Sequence, residues 1–309
     1  MSDDSIYRGF GYAKTLIFGE YAVMHGAPGL IMAMPQKMHL TLELTPCVSQ
    51  PESQFAQVLQ KQLLNHFGLL GNIFLDDSQF FDSNHIKYGI GSSAAGVVAL
   101  CRAAIQAIKP PSEFSLPQAI QIHREIQHGL GSGIDIHASA LGGILSVCHC
   151  PDHPQYQTVP AHNLPCIAVL AAHHPSLTTD YLTAAKRVES TSEYTHIIAA
   201  LSDVYASLTQ FVNKANHSAF LELIPRIPEL LKQLEVIIDR KIIPDGFELL
   251  VSIGCEHHVV LKTSGAGGGD ILLAMSQNRH QLDSFLSQIP PNIPLTLLNN
   301  PSLYERAMP

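Results

Sequence analysis

The run Gly89-Ile90-Gly91-Ser92-Ser93-Ala94-Ala95 constrains this chain more than any other stretch. Its glycines let the backbone turn so that successive N–H groups point inward. Apolar residues then continue through about Ile108, as a long helix would, and Pro110-Pro111 close the segment. A helix that starts directly behind such a turn presents its orphan N–H groups and the positive end of its dipole to one place. That combination suits a phosphate. Ser92 and Ser93 either cap the helix or offer a hydroxyl to Mg²⁺. The pattern G-x-x-x-x-G-K-[ST] is absent, so the loop is not a P-loop. Taken alone, a serine-capped glycine turn accounts for the run as well as an anion site does.

A second cluster, Lys262-Thr263-Ser264-Gly265-Ala266-Gly267-Gly268-Gly269-Asp270, is too glycine-dense for an ordinary turn. Ordering it costs conformational entropy, which makes sense where backbone must approach a ligand or another loop closely. A third break, Gly129 to Gly133, leads into a short helix around Asp135 to Leu141.

The rest of the chain frames these loops. Tyr7 to Leu44 reads as strand-rich, with Thr15-Leu16-Ile17-Phe18 and Tyr21-Ala22-Val23-Met24 both β-prone. Phe55 to Phe67 has helical periodicity ended by Gly68, and Leu116 to His128 is a second amphipathic helix. Ile144 to Cys148 is a strand, and Cys150-Pro151-Asp152-His153-Pro154 marks a boundary between domains 1–154 and 155–309. Beyond it come a buried strand over Cys166 to Ala172 and three helical stretches between about Thr179 and Ile238. Strands over Val259 to Lys262 and Pro294 to Leu298 complete the reading.

Composition narrows the function. Of the 309 residues, 46% are hydrophobic and 14% charged, which favours a compact fold. The net charge of −8 argues against a general nucleic-acid-binding surface, so positive charge for an anionic ligand must be local. None of the six cysteines forms a C-x-x-C pair. The acidic Met1-Ser2-Asp3-Asp4 start lacks the pattern of a signal peptide, and no apolar run is long enough for a membrane span. The expectation is a cytoplasmic protein with reduced thiols. Cys148-His149-Cys150 with Asp152 and His153 is dense in possible ligands but fits no zinc spacing.

Four segments together resemble the GHMP kinase superfamily: Ala13-Lys14-Thr15-Leu16-Ile17-Phe18-Gly19-Glu20-Tyr21-Ala22-Val23, Gly89 to Ala95, Gly131-Ser132-Gly133-Ile134-Asp135 and Ser264 to Gly269. Lys87-Tyr88-Gly89-Ile90-Gly91-Ser92-Ser93, Gln127 to Asp135 and Lys262 to Asp270 are most similar to the phosphomevalonate kinase branch, and next to mevalonate kinases. The chain departs from that branch at Tyr12-Ala13, where Pro-Gly is usual, and at His173-His174-Pro175-Ser176-Leu177-Thr178-Thr179, where a Trp-containing segment is usual.

The resemblance implies an α+β, two-lobed fold with the active site between the lobes, and transfer of a phosphoryl group from ATP, with Mg²⁺, to a small metabolite. It implies Asp135 as the acceptor-side carboxylate and Lys14 as its catalytic neighbour. Gly89, Gly91, Ser92, Ser93 and Ala94 would bind the ATP phosphates, with Ser92 or Ser93 reaching Mg²⁺. Lys87 and Ser132 would face the acceptor, while Ser264 and Ala266 are acceptor-side or loop-packing positions. Gly265, Gly267, Gly268 and Gly269 form the third-motif loop. Glu125 is either a Mg²⁺-linked glutamate, one residue out of the family spacing, or a plain helix-face residue. The acceptor implied is mevalonate 5-phosphate, with mevalonate next. A catalytically silent metabolite-binding relative is the alternative of another class. It is opposed by the joint presence of Lys14, Ser92, Ser93 and Asp135.

Overall fold

The structure, a computed structural model, describes residues 6–108, 110, 112–129, 131–148, 155–172, 178–268 and 270–298. By compactness the chain divides into two units. The first takes in the residues up to Lys14, Ala33–His85 and Ile90–Gly142, and the second takes in Thr15–Met32, Ile86–Gly89 and the residues from Gly143 on. The expected boundary at Cys150 to Pro154 lies outside the described residues.

Strands β1 (Ile6–Phe18) and β2 (Pro28–Leu44) are neighbours in a sheet, and each passes from one unit into the other. In the first unit, β3 (Gly71–Asp76) pairs antiparallel with the end of β2, with Leu42 opposite Ile73. Four helices complete this unit: α1 (Gln54–Phe67), α2 (Ser92–Ala107), α3 (Leu116–Ile126) and α4 (Ile134–Leu141). Ser53 caps α1 by accepting from Ala56 N at 3.0 Å, and Gly68 ends it in the left-handed conformation. Leu40 and Leu42 of β2, Leu59 and Leu63 of α1, Val97 and Leu100 of α2, and Ile120 and Ile122 of α3 share one buried core. Glycines in β1 allow α2 to lie against it. A Cβ added at Gly9 would stand 2.0 Å from the Ala99 carbonyl oxygen, and one at Gly11 2.2 Å from that of Ala95. Gly9 and Gly11, two apart on a strand, share a face, so side chains there would push α2 off its support.

In the second unit the start of β2 pairs antiparallel with β4 (Ile144–Cys148), and β4 with β5 (Gln155–Thr158). A separate sheet has the order β7 (Val260–Ser264), β8 (Ile271–Ser276), β6 (Cys166–Ala171), β9 (Thr296–Leu297). Its helices are α5 (Thr178–Val188), α6 (Ser192–Asn213), α7 (His217–Leu223), α8 (Arg226–Ile238), α9 (Phe247–Glu256) and α10 (Arg279–Ser287). Phe18 stacks on Tyr205 of α6 at 5.7 Å between ring centroids, and both rings are buried.

Two expectations are corrected. Tyr21 to Met24 is not a strand, because Ala22–His25 forms a single 3-10 turn. Tyr21 at its start has φ 57 and Gly26 at its end φ 92, so the chain reverses where β propensity suggested it would extend. The three helical stretches expected before Ile238 are four, because Asn216 caps a separate α7 by accepting from Ala219 N at 3.2 Å. Among the described residues no helix is long and apolar enough to cross a membrane.

Candidate active site

The first unit brings Lys14, Gly91 and Asp135 together. Lys14 stands in β1, where its backbone N–H donates to the Ile90 carbonyl at 2.9 Å. Its ammonium pairs with Asp135 Oδ2 at 3.1 Å, the side chains 13% and 31% exposed, so the pair is sheltered yet reachable. Gly91 is the N-cap of α2, with φ 81, and its lack of a side chain is what admits Lys14. A Cβ at Gly91 would lie 2.5 Å from Lys14 Cε and 2.9 Å from its Cγ.

The start of α2 leaves its first turn without a side-chain cap. Gly91 offers no side-chain cap, so no hydroxyl or carboxylate of that residue occupies the first-turn N–H groups. Ser92 and Ala94 are buried, whereas Ser93 is half-buried. The first turn holds no acidic residue, which leaves the positive helix end unopposed within α2.

Asp135 sits in the first turn of α4, whose N-cap is Gly133 in the left-handed conformation. A Cβ at Gly133 would meet Ile120 of α3 at 2.8 Å, so α3 sets where α4 begins. Arg124 strengthens the same junction by donating to the Ser132 carbonyl at 3.4 Å, and the Ser132 hydroxyl accepts from Ile134 N at 3.4 Å. Glu125 faces another way. His66 Nε2 donates to one of its carboxylate oxygens at 2.8 Å and Gln121 to the other at 3.1 Å. The His66 bond is the main reason its carboxyl is held below the usual range.

The third motif is built into the second unit. The Ser264 hydroxyl donates to the Leu16 carbonyl at 2.7 Å, accepts from Leu16 N at 3.1 Å and lies 3.0 Å from the Thr15 hydroxyl. Ser264 therefore ties β7 to the first-motif strand. Tyr21 donates to the Ala266 carbonyl, and burial pushes its phenol far above the ordinary range. Tyr181 packs where a Cβ at Gly267 would be, 2.5 Å from its ring, and donates to the Lys241 carbonyl at 2.9 Å. Gly268 N donates to that same carbonyl at 3.2 Å. Gly265, with φ 96, has open space around it. Gly269 lies outside the described residues, as do His173 to Leu177. Before α2, a Cβ on Gly89 would meet Asp270 at 2.6 Å, and Lys87 is exposed two residues earlier.

Sequence reasoning gave no partner to Lys262, although it opens the third-motif run. Its ammonium pairs with Glu20 of the first motif at 2.5 Å, and Tyr205 donates to the second carboxylate oxygen at 3.2 Å. Opposite charges set in two apolar stretches, each needing a partner if buried, were the available signal.

The GHMP kinases N terminal domain family model matches residues 57–143, the segment that carries Gly91, Ser92, Ser93 and Asp135. Over that segment the chain is similar to the GHMP kinases. Its fold is shared with solved kinase structures over nearly the whole chain. The structure of Streptococcus pneumoniae phosphomevalonate kinase in complex with phosphomevalonate and AMPPNP is 16% identical, aligns over 94% of this chain and 98% of that one, and gives a TM-score of 0.77. A Lin0012 protein from Listeria innocua is 19% identical, with 91% and 94% coverage and a TM-score of 0.75. L. major mevalonate kinase in complex with R-mevalonate is 18% identical, with 93% and 92% coverage and a TM-score of 0.68. None of the curated proteins matches this chain.

Proposed function

We propose that this protein is an ATP-dependent kinase acting on a small metabolite of isoprenoid synthesis, and that it converts mevalonate 5-phosphate and ATP to mevalonate 5-diphosphate and ADP. One observation carries the reading: Lys14 lies across Gly91 of the phosphate loop and pairs with Asp135 at 3.1 Å. A cation that touches both the helix start and an acceptor-side carboxylate is placed to offset charge on the group in transfer. Phosphoryl transfer depends on such positioning and charge neutralisation far more than on covalent chemistry by the protein.

In this reading the first-turn N–H groups of α2 hold ATP phosphates. Asp135 orients the attacking oxygen of the acceptor and takes its proton where it carries one. Ser92 or Ser93 would offer a hydroxyl to Mg²⁺, which would supply charge neutralisation for the ATP phosphates. That fits a site in which, among the described residues, no group of three or more His, Cys, Asp or Glu side chains could cage a metal. The Ser264-to-Gly268 loop supplies the third motif. Lys87, exposed just before the loop, supports a phosphorylated acceptor, as does the likeness to a phosphomevalonate kinase fold.

A coupled ADP-release screen over mevalonate, mevalonate 5-phosphate, homoserine and simple sugars tests this. The expected result is the highest kcat/KM with mevalonate 5-phosphate. Turnover of mevalonate with none of its 5-phosphate would move the assignment to mevalonate kinase. ATP binding without turnover of any acceptor would favour the silent binding protein.

A further inference from the structure

His123 is a buried polar group that the proposed reaction has not yet used. It stands in α3 with 2% of its surface exposed, and among the described residues neither ring nitrogen has a hydrogen-bond partner. Buried polar side chains are normally paired, so an exception of this kind calls for a reason. Its neighbours give one. Ile120 of α3 packs on Gly133, Arg124 donates to the Ser132 carbonyl, and the Gln127 side chain lies 2.6 Å from where a Gly131 Cβ would be. Residues 120, 123, 124 and 127 follow helical spacing on one face, and that face backs the Gly131 to Gly133 turn that leads into α4 and Asp135. The charged groups that bear on the ring are Asp135 and Lys14. A second buried polar atom without a partner among the described residues, Ser139 Oγ, lies one helical turn beyond Asp135 on α4.

We infer that His123 is a positioning residue for Asp135: its neutral imidazole steadies the carboxylate from the α3 side, and its N–H closes onto that carboxylate in the reacting complex. Catalytic hydrogen bonds are often long in a free enzyme and tighten only when the substrates are in place. The inference rests on the phosphoryl-transfer reading of Asp135. A purely structural role is disfavoured because an apolar side chain of similar size would fill the site without leaving unpaired nitrogens.

The experiment compares wild type with His123→Leu and His123→Asn, each also in an Asp135→Asn background. His123→Leu should lower kcat about tenfold or more while KM for ATP stays within about twofold, the size expected of one hydrogen bond to a charged group. Its melting temperature should equal or exceed that of wild type, since an unsatisfied group has been removed. His123→Asn, which keeps a donor, should restore part of the rate. In the Asp135→Asn background His123→Leu should cost nothing further. A separate arm needs no turnover: the carboxyl ¹³C chemical shift of Asp135 in the unliganded protein at neutral pH should differ between wild type and His123→Leu. Unchanged kcat, a rate loss that only follows a loss of stability, or full additivity with Asp135→Asn would overturn the inference. If wild type turns over no acceptor, the kinase reading has failed, and the Asp135 signal decides for His123 alone: a changed chemical shift supports positioning, and an unchanged one overturns it.

Discussion

Lys262 and Glu20 form an ion pair in which neither side chain has any exposed surface. Burial lowers the Lys262 pKa, and the Glu20 carboxylate opposes that shift. The Tyr205 hydroxyl completes the carboxylate's bonding from α6. Removing one partner strands a charge in the core. Glu20→Gln or Lys262→Met should each destabilise the protein by about 3–5 kcal/mol. The double variant should lose less than the sum of the two, because it buries no unpaired charge. Urea denaturation of the four proteins measures both quantities.

Gly91→Ala should damage catalysis beyond its effect on stability. The backbone there has φ 81, which costs a non-glycine residue roughly 1–2 kcal/mol. The new methyl would also meet Lys14 Cε at 2.5 Å and push the ammonium off Asp135. Circular dichroism and steady-state kinetics on the same sample separate the two effects. A variant with a lowered melting temperature but an unchanged kcat would mean that Lys14 is not used where it lies.

Much of this arrangement could be read from residue order, and the remainder was hidden for physical reasons. Helix α2 was legible because a mostly apolar run extends from a glycine turn to a proline stop. The Lys14, Gly91 and Asp135 positions were legible because short motifs with tight backbone demands carry them. The turn at Ala22–His25 was not, since Tyr and Val propensities pointed to a strand while two positive-φ residues, Tyr21 and Gly26, turned the chain. Strand β8 was missed because all six of its residues are buried and no alternation marks it. The Glu20–Lys262 pair joins positions 242 apart, a separation that no local pattern reports. His123 was hidden inside the ordinary periodicity of α3.

Stability should fall in mild acid through His123. Burial lowers its pKa from 6.5 to about 4; the Asp135 charge opposes this and the Lys14 charge adds to it. Between those values the unfolded chain binds the proton and the folded protein does not. Stability therefore rises with pH across the window and is lost as pH falls from about 6.5 to about 4, at up to about 1.4 kcal/mol per pH unit. His137, also lowered by burial, acts in the same direction. Denaturant melts at half-unit pH steps should show a shallower slope in His123→Leu than in wild type. Identical slopes would mean that His123 titrates normally in the folded protein.

Lys87→Ala tests the acceptor. A phosphorylated acceptor brings roughly two negative charges beside those of ATP, and the exposed Lys87 is the cation nearest in sequence to the phosphate loop. Charge-assisted hydrogen bonds are worth about 1.5–3 kcal/mol. The change should therefore raise KM for mevalonate 5-phosphate about tenfold or more, move KM for ATP less, and matter little with unphosphorylated mevalonate. Equal effects on both acceptors would take Lys87 out of acceptor recognition.

The rate of acceptor-dependent ADP release by wild type and by folded Asp135→Asn tests the central claim most directly. The amide keeps the size of the carboxylate and its place in the first turn of α4, but it gives up the charge that pairs with Lys14 at 3.1 Å. The account predicts clear turnover by wild type and a kcat lower by about 10²–10⁴ in the variant, with the fold retained. Equal rates in the two proteins would contradict it.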